Sequence, residues 1–136
     1  MKSMNACAEL FINNLKSKDL GCDVREIEDG VLVHLSYDNK PINMIFKGDN
    51  GSYFSLYITF ENVPQEKVVD AIIACNELNT TYKWAKFYVD KDNDVMVQDD
   101  AILNVATAAE EAFEILLRVI DIAKEAKQPL MKAIYA

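Results

Sequence analysis

Three aspartates at alternate positions form the first pattern in the sequence that could do chemistry. Asp90, Asp92 and Asp94 match the opening of a calcium-binding loop, in which carboxylates provide oxygen ligands. The rest of that loop is missing, because Val95 stands where its glycine belongs and Ala101 where its bidentate glutamate belongs. The sequence therefore predicts a solvated hairpin turn here and no metal site.

The other reactive side chains form no catalytic or metal-binding set. His34 is the only histidine, so the sequence predicts neither a catalytic triad nor a histidine-rich metal cluster. Cys7, Cys22 and Cys75 are an odd number without a C-x-x-C pair, which is typical of reduced, buried thiols. The four glycines form no phosphate-binding loop. We therefore expect a protein that is not an enzyme and uses no cofactor or metal.

The composition limits the partners that the chain can bind. The 136 residues are 51% hydrophobic and 26% charged, which predicts a single globular domain over residues 1–136. A net charge of −8 repels phosphate backbones and anionic membranes, so we expect no nucleic acid and no membrane as partner. The first 18 residues lack the pattern of a secretory leader. These features favour a cytoplasmic location and partners that are neutral or basic.

Hydrophobic periodicity and turn residues predict the elements that position these side chains. Residues 2–18 read as a helix whose apolar face is Met4, Cys7, Ala8, Phe11 and Leu15. Four extended runs then follow at 23–27, 31–37, 42–47 and 53–60. Turn sequences rich in Asp, Asn and Gly separate these runs, which predicts an antiparallel meander.

The second half of the chain reads as helix, two strands and helix. Pro64 precedes a middle helix whose predicted apolar face is Val68, Val69, Ile72, Ile73 and Leu78. Two further strands are predicted at 82–89 and 95–98. Asp99 and Asp100 are interpreted as carboxylates before a final helix, at about 104–127, that Gln128 and Pro129 interrupt. The predicted fold class is α+β, an antiparallel sheet with helices in the order α-β(3–4)-α-β2-α.

Strand alternation sorts the sheet residues into two faces. The apolar face, predicted to form the core under the helices, comprises Val31, Val33, Leu35, Ile42, Met44, Phe46, Phe54, Leu56, Ile58, Phe60, Ala85, Phe87 and Val89. The opposite face mixes polar residues with aromatic ones, and its candidate binding residues are Tyr53, Tyr57, Trp84 and Tyr88. Aromatic rings with polar tips suit contacts with another molecule. The alternative is ordinary cross-strand pairing on a solvated face, or cover by a helix.

The final helix has a wider apolar side than one sheet requires. Beside its main stripe lies a shoulder formed by Ile115, Val119 and Ile122. This shoulder predicts a second neighbour, which is either another helix of the domain or a second subunit. In the latter case the three residues are a candidate homodimer interface.

A family resemblance appears at the end of the middle helix. The segment Asn76-Glu77-Leu78-Asn79, the strand Trp84 to Asp90, and Asp94 to Val97 resemble the YbjN family, described as bacterial sensory-transduction regulators. The family is similar in fold to class I type III secretion chaperones, with the order α-βββ-α-ββ-α, and the resemblance covers about residues 5–127. It implies a small, non-enzymatic, often dimeric binding domain and names no ligand. Because the pattern usually has three strands first, residues 23–27 are either a weak edge strand or merely extended.

These observations leave three hypotheses about function. The first is a cytoplasmic interaction module, a regulator or chaperone-like adaptor that binds a protein or peptide. The second is a small-molecule sensor in which Tyr57, Trp84 and Tyr88 wall a pocket, with Ser55 or Thr59 as polar anchor. The third is an enzyme of unfamiliar mechanism, which a convergent pair of ionisable groups with perturbed pKa would support.

Overall fold

Alternating apolar residues and tight turns organise the chain into a sheet with helices packed on it. A computed structural model describes residues 5–135. Its helices and strands are α1 (Ala6–Ser17), β1 (Asp23–Ile27), β2 (Gly30–Tyr37), β3 (Lys40–Lys47), β4 (Tyr53–Asn62), α2 (Val68–Thr81), β5 (Lys86–Val89), β6 (Asp94–Ile102) and α3 (Ala108–Tyr135). The predicted α+β class and element order are confirmed, and residues 23–27 form a paired edge strand.

All neighbouring strands of the six-stranded sheet are antiparallel, in the order β1-β2-β3-β4-β6-β5. Consecutive hairpins make the first four strands a meander, as the turn sequences predict. Asp38 and Asn39 both have positive φ, +52° and +62°, which is the backbone of the two-residue turn that suits the twist of a hairpin. Opposite register partners share a face, so the register decides which side chains meet.

The core lies between one face of the sheet and the three helices. The Phe11 ring of α1 packs at a tilt against Phe46 of β3, and Phe46 packs likewise against Phe54 of β4, with ring centroids 5.6 Å and 5.0 Å apart. The predicted apolar strand residues are buried or half-buried there. Asn5 begins α1, because its Oδ1 accepts from the Ala8 amide while its Nδ2 donates to the Phe46 carbonyl. Met4, assigned to the apolar face of this helix, lies outside the described residues.

The apolar shoulder of the final helix is covered by the chain itself. Val119 is fully buried, Ile122 is 7% exposed, and Ile115 is half-buried against the core. The reason is that α3 contacts both α1 and α2 in addition to the sheet, so it needs a wider apolar side than a helix with one neighbour. These three residues therefore leave little exposed area for a second subunit, and the alternative of a second helix neighbour accounts for their burial.

The middle helix buries only part of the predicted face, because Leu78 is buried and Val68 half-buried but the other three residues are not. Val69, Ile72 and Ile73 are 68%, 50% and 54% exposed, whereas α2 buries Ala71, Ala74, Cys75 and Leu78. Small residues on the buried side let the helix approach β5 and α3 closely, and Leu78 provides the larger contact. The prediction failed because α2 is apolar on nearly every side, so periodicity could not distinguish its two faces.

Two strand boundaries and the end of the final helix also differ from the prediction. Strand β5 begins at Lys86 rather than at Tyr82, because the Tyr82 amide still donates to the Leu78 carbonyl of α2 and its ring packs on Phe87. Strand β6 continues to Ile102, so Asp99 and Asp100 lie in a strand that pairs with the long β4, not before a helix.

The final helix continues through Pro129 to Tyr135. A proline leaves the carbonyl four residues earlier without its helical donor. Here both Glu125 and Pro129 are exposed, so water can satisfy that carbonyl, while fully buried Leu130 and Ile134 anchor the last turns. Within residues 5–135, no helix is long and apolar enough to cross a bilayer.

Candidate functional site

The sheet face opposite the helices carries the candidate site. Register places Ile45, Ser55 and Asp100 side by side across β3, β4 and β6, and the next row contains Lys47, Tyr53 and Ile102. We call the surface formed by these six residues and Tyr57 the open face. Most of its side chains are half-buried or exposed, in contrast to the buried residues that alternate with them.

A shallow groove of about 610 Å³ crosses the open face. Tyr53 and Ile102 border it and are 58% and 78% exposed, which is unusual for an aromatic and a branched apolar side chain. Tyr57, Ile45 and Ser55 also line it, and Lys47 and Asp100 add one charge of each sign. A groove with an apolar floor and a few polar groups can bind an extended segment or the surface of another molecule.

A chain of hydrogen bonds fixes the polar side of the groove. The Tyr88 hydroxyl donates to Gln98 Oε1 at 2.7 Å, and Gln98 Nε2 donates to both carboxylate oxygens of Asp100 at 3.0 Å. Ser55 Oγ donates to Asp100 Oδ1 at 2.6 Å, and the Lys86 ammonium lies 3.8 Å from Asp100 Oδ2. These bonds position the Asp100 carboxylate at the groove before any partner arrives.

Burial and negative neighbours keep Tyr88 in its neutral form. Its pKa is raised first by desolvation and then by the charges of Tyr57, Asp90 and Asp100. The neutral hydroxyl is the species that can donate to Gln98, so the electrostatics and the hydrogen bond agree. Tyr88 does not line the groove. It contributes to the groove indirectly, through its hydrogen bond to Gln98.

His34 has a local structural partner on the same face of the sheet. Its Nδ1 lies 2.9 Å from Oδ1 of Asn43, its register partner on β3. Because the amide oxygen is an acceptor, this bond requires the proton on Nδ1. The residue therefore ties two strands together.

The structure brings together only part of the predicted binding set. Tyr53 and Tyr57 line the groove, and Tyr88 supports it, but Trp84 does not contribute to its lining. Trp84 is 56% exposed in the loop between α2 and β5, where strand alternation does not apply.

Sequence reasoning missed Ile102 and did not assign Gln98 or Asp100 to this face. The signal was present in the alternation of Met96, Gln98, Asp100 and Ile102. It was lost because the predicted strand ended at Gln98, four residues before the observed end of β6.

The neighbouring carboxylates of Asp99 and Asp100 do not form a convergent acid pair. Asp99 is the register partner of core-facing Leu56, whereas Asp100 is the partner of Ser55 on the open face. Desolvation, as the largest cause, raises the pKa of Asp99. The two adjacent carboxylates therefore point to opposite sides of the sheet and do not converge on one site.

The aspartate-rich turn is held by its own backbone. Asp90 Oδ1 accepts from the amides of Asp92 and Asp94 at 3.0 Å and 2.9 Å, and Asn93 takes the left-handed conformation with φ of +64°. The first carboxylate of the pattern is thus used as a turn cap. Among the described residues no cluster of three or more potential metal ligands occurs.

The three cysteines show no sign of activation. Burial raises the pKa of the Cys75 thiol to about 11, and burial is also the largest cause that raises the pKa of Cys7 and of Cys22. A raised pKa keeps the thiol protonated and weakly nucleophilic at neutral pH.

The last asparagine of the N-x-L-N segment closes the edge of the sheet. Asn79 Oδ1 accepts from the Phe87 amide at 2.7 Å, and its Nδ2 donates to the Phe87 carbonyl at 3.0 Å. In an antiparallel edge strand, the backbone amide and carbonyl of every second residue point away from the sheet. Asn79 provides a partner for both of these groups of Phe87. The motif therefore has a structural role in joining α2 to the edge strand β5.

Comparisons with known proteins agree with this architecture. The chain is similar to the Yersinia pestis type III secretion chaperone SycH, solved in complex with a stable fragment of YscM2. That match has 12% identity and a TM-score of 0.55, and it covers 88% of this chain and 98% of that chain. A chain of the heterodimeric complex ExoU–SpcU from the type III secretion system of Pseudomonas aeruginosa matches with 13% identity and a TM-score of 0.47, over 90% of this chain and 96% of that chain.

The SycH match confirms the predicted chaperone-like fold, and at this identity it shows the fold alone. A comparison with curated protein sequences finds no match. The model of the YbjN family, described as "Putative bacterial sensory transduction regulator", matches residues 9–129, which is most of the chain. The chain therefore belongs to the YbjN family.

Proposed function

We propose that this protein is a non-enzymatic interaction module, a regulator or chaperone-like adaptor that binds a protein or peptide through the open face. The observation that carries the proposal is the groove in which Tyr53 and Ile102 remain more than half exposed beside a preset carboxylate. Exposed aromatic and apolar side chains next to fixed polar groups are typical of protein interfaces.

The shape of the groove favours a macromolecular partner over a small ligand. It is shallow and open to solvent, and no helix within residues 5–135 covers it. The sensor hypothesis requires an enclosed pocket behind Trp84 and Tyr88, and neither residue lines the groove. SycH, which shares the fold, was solved with a fragment of another protein, and this supports the same class of function for the present chain.

The chemistry of the open face limits the kind of partner. Asp100 is held by Ser55 and Gln98, and Lys86 lies at salt-bridge distance, so a donor from the partner can displace the lysine and pair with the carboxylate. Tyr53, Ile45 and Ile102 offer apolar contact beside it. We therefore expect a neutral or basic segment with at least one large apolar residue, consistent with the net charge of −8.

Site-specific photo-crosslinking in the native host tests this proposal. A photoreactive phenylalanine analogue replaces Tyr53 in one variant and Leu117 in a matched control, since Leu117 is 47% exposed on the helix side. We expect one dominant crosslinked protein from position 53 that is absent from position 117, and its yield should fall when Ile102→Ser is added. Equal capture from both positions, or a yield that Ile102→Ser leaves unchanged, would contradict binding at the open face.

The predicted homodimer stays a prediction, and its surface must be different from the buried shoulder of α3. The exposed row of Val69, Ile72 and Ile73 on α2 offers apolar area for such a contact. If this row pairs with a second copy, sedimentation equilibrium at micromolar concentration should give twice 15.4 kDa, and Ile72→Ser with Ile73→Ser should restore the monomer mass. A single 15.4 kDa species for the unmodified protein would rule the dimer out.

A further inference from the structure

A second cavity lies on the helix side of the sheet, away from the open face. It occupies about 260 Å³ between the β2–β3 hairpin, β4 and the later turns of α3. Its lining residues are Tyr37, Asp38, Lys40, Ile58, Phe60, Ala123, Lys124 and Lys127. The groove of the open face shares none of these residues.

The walls of this cavity are apolar and its rim is basic. Ile58, Phe60 and Ala123 are at most 6% exposed and form its inner surface. The rim carries three lysines and Asp38, and Glu61 pairs with Lys40 beside it, so an excess of one positive charge remains there although the whole chain has a net charge of −8. This local reversal of charge around an apolar cavity is the pattern expected of a site for an amphipathic anion.

Contacts within the protein hold the lysines over the cavity. The Lys40 ammonium lies 4.8 Å from the Phe60 ring centroid, donates to the Phe60 carbonyl at 2.8 Å and lies 3.9 Å from Glu61 Oε1, so it is already paired. Lys124 lies 5.8 Å from the ring centroid of Tyr37, and Lys127 lies 3.5 Å from Asp38 Oδ2. Exposed cation–π contacts and exposed ion pairs are weak, so an incoming anion can replace those of Lys124 and Lys127 with charge-assisted hydrogen bonds.

We propose that this cavity binds a small amphipathic carboxylate, with its alkyl or aryl part against Ile58, Phe60 and Ala123 and its carboxylate between Lys124 and Lys127. The volume sets the size of the ligand, because about 260 Å³ is near the lower limit of small-molecule pockets. A single short chain is compatible with this size. This inference adds a ligand site to the proposed interaction module and does not depend on it.

Hexanoate is a suitable probe, and 1-hexanol and hexylamine are controls with the same chain and a different head group. Each is titrated into the ¹⁵N-labelled full chain at neutral pH and constant ionic strength. We expect hexanoate to give saturable shifts of the amide signals of Tyr37, Phe60 and Ala123, and the two controls to bind about tenfold more weakly or not at all. Equal binding of all three compounds, or shifts spread over the surface, would overturn the proposal.

Paired variants separate the charge from the fold. Lys124→Met with Lys127→Met removes two charges and keeps the apolar stems, while Lys83→Met with Lys91→Met makes the same change at exposed positions elsewhere. The first pair should weaken hexanoate about tenfold and the second should leave its affinity unchanged. Ala123→Val, which reduces the cavity without changing charge, should also weaken it. If the cavity pair binds hexanoate as tightly as the control pair, the assignment of the carboxylate to these lysines is wrong.

Discussion

The two faces of the sheet differ in their exposure to water, although their residues alternate along the same strands. On the helix side, Phe46 is fully buried between the rings of Phe11 and Phe54. On the open side, the neighbouring rows leave Tyr53 and Ile102 more than half exposed and join Tyr88, Gln98, Asp100 and Ser55 by hydrogen bonds. The helix side excludes water by close packing. The open side stays accessible to water, and its polar groups are paired by hydrogen bonds.

This difference shows where stability and recognition are separated in the chain. Burial of apolar area stabilises the helix side, and each large side chain there contributes a few kcal/mol. A solvated face contributes little per residue, so its side chains can be selected for a partner. Substitutions on the two faces should therefore separate by free energy of unfolding, and each prediction below tests that separation.

The largest effect is expected from Phe46→Ala. Removing a fully buried ring from a stack of three leaves a cavity, and such changes cost about 3–5 kcal/mol of unfolding free energy. Urea unfolding followed by tryptophan fluorescence measures the loss, and Lys47→Ala, the next residue and on the open face, is the matched control. A loss below about 1 kcal/mol for Phe46→Ala would mean that the helices do not pack on this face as described.

High pH should lower the free energy of unfolding, because the buried helix side of the sheet cannot accommodate a charged thiolate. Burial raises the pKa of Cys75 to about 11 in the folded chain, from an ordinary value of 9.0. Below pH 9 the thiol is neutral in both states, whereas between pH 9 and 11 only the unfolded chain ionises, so stability falls through this window. We expect this thiol to contribute on the order of 1–2 kcal/mol, because solvent screening reduces the effect below that of the full pKa shift.

Denaturant midpoints across this pH window measure the effect for the wild type and two variants. Cys75→Ala should reduce the pH dependence more than Cys22→Ala, which changes a half-buried position. An unchanged slope in Cys75→Ala would show that another group is responsible for the loss of stability.

Asn79→Ala tests the connection between the helix layer and the sheet edge. The variant leaves the Phe87 amide and carbonyl without the side chain that pairs with both, and we expect a loss of about 1–2 kcal/mol. Asn76→Ala, one turn earlier and exposed, is the control. Hydrogen exchange of the Phe87 amide should accelerate in Asn79→Ala only. Equal exchange in both variants would show that the edge of β5 is protected by other means.

Most of the architecture could be predicted from local pattern. The turn at Asp38 and Asn39, the alternation of β2 to β4 and the core set follow from turn chemistry and a period of two. Register also places Tyr53 and Tyr57 on one face, as alternation predicts. These features depend on neighbours in sequence, and that is why sequence reasoning finds them.

The predictions that failed concern features that depend on contacts between residues distant in sequence. α2 is apolar on most sides, so only its contacts with β5 and α3 decide that Ala71 is buried and Ile72 exposed. The full length of β6 depends on pairing with β4, which moves Asp100 and Ile102 to the groove. In the sequence, Val119 and Ile122 form apolar surface beyond what one sheet can cover. They are buried because α1 and α2 pack beside α3. Tertiary packing overrode local propensity in each case.

The smallest effect on stability is expected from Tyr53→Ala, which is also the sharpest test of the open face. Tyr53 is 58% exposed, so truncation should cost about 0.5 kcal/mol or less, because surface substitutions are usually mild. Its neighbour on the strand, Phe54, is 1% exposed, and Phe54→Ala should cost several times more. If the open face is a recognition surface, Tyr53→Ala should abolish capture of the partner found by crosslinking while its unfolding curve stays close to that of the wild type. Comparable large losses of stability for Tyr53→Ala and Phe54→Ala would mean that both faces are core, and the separation between stability and recognition would then fail.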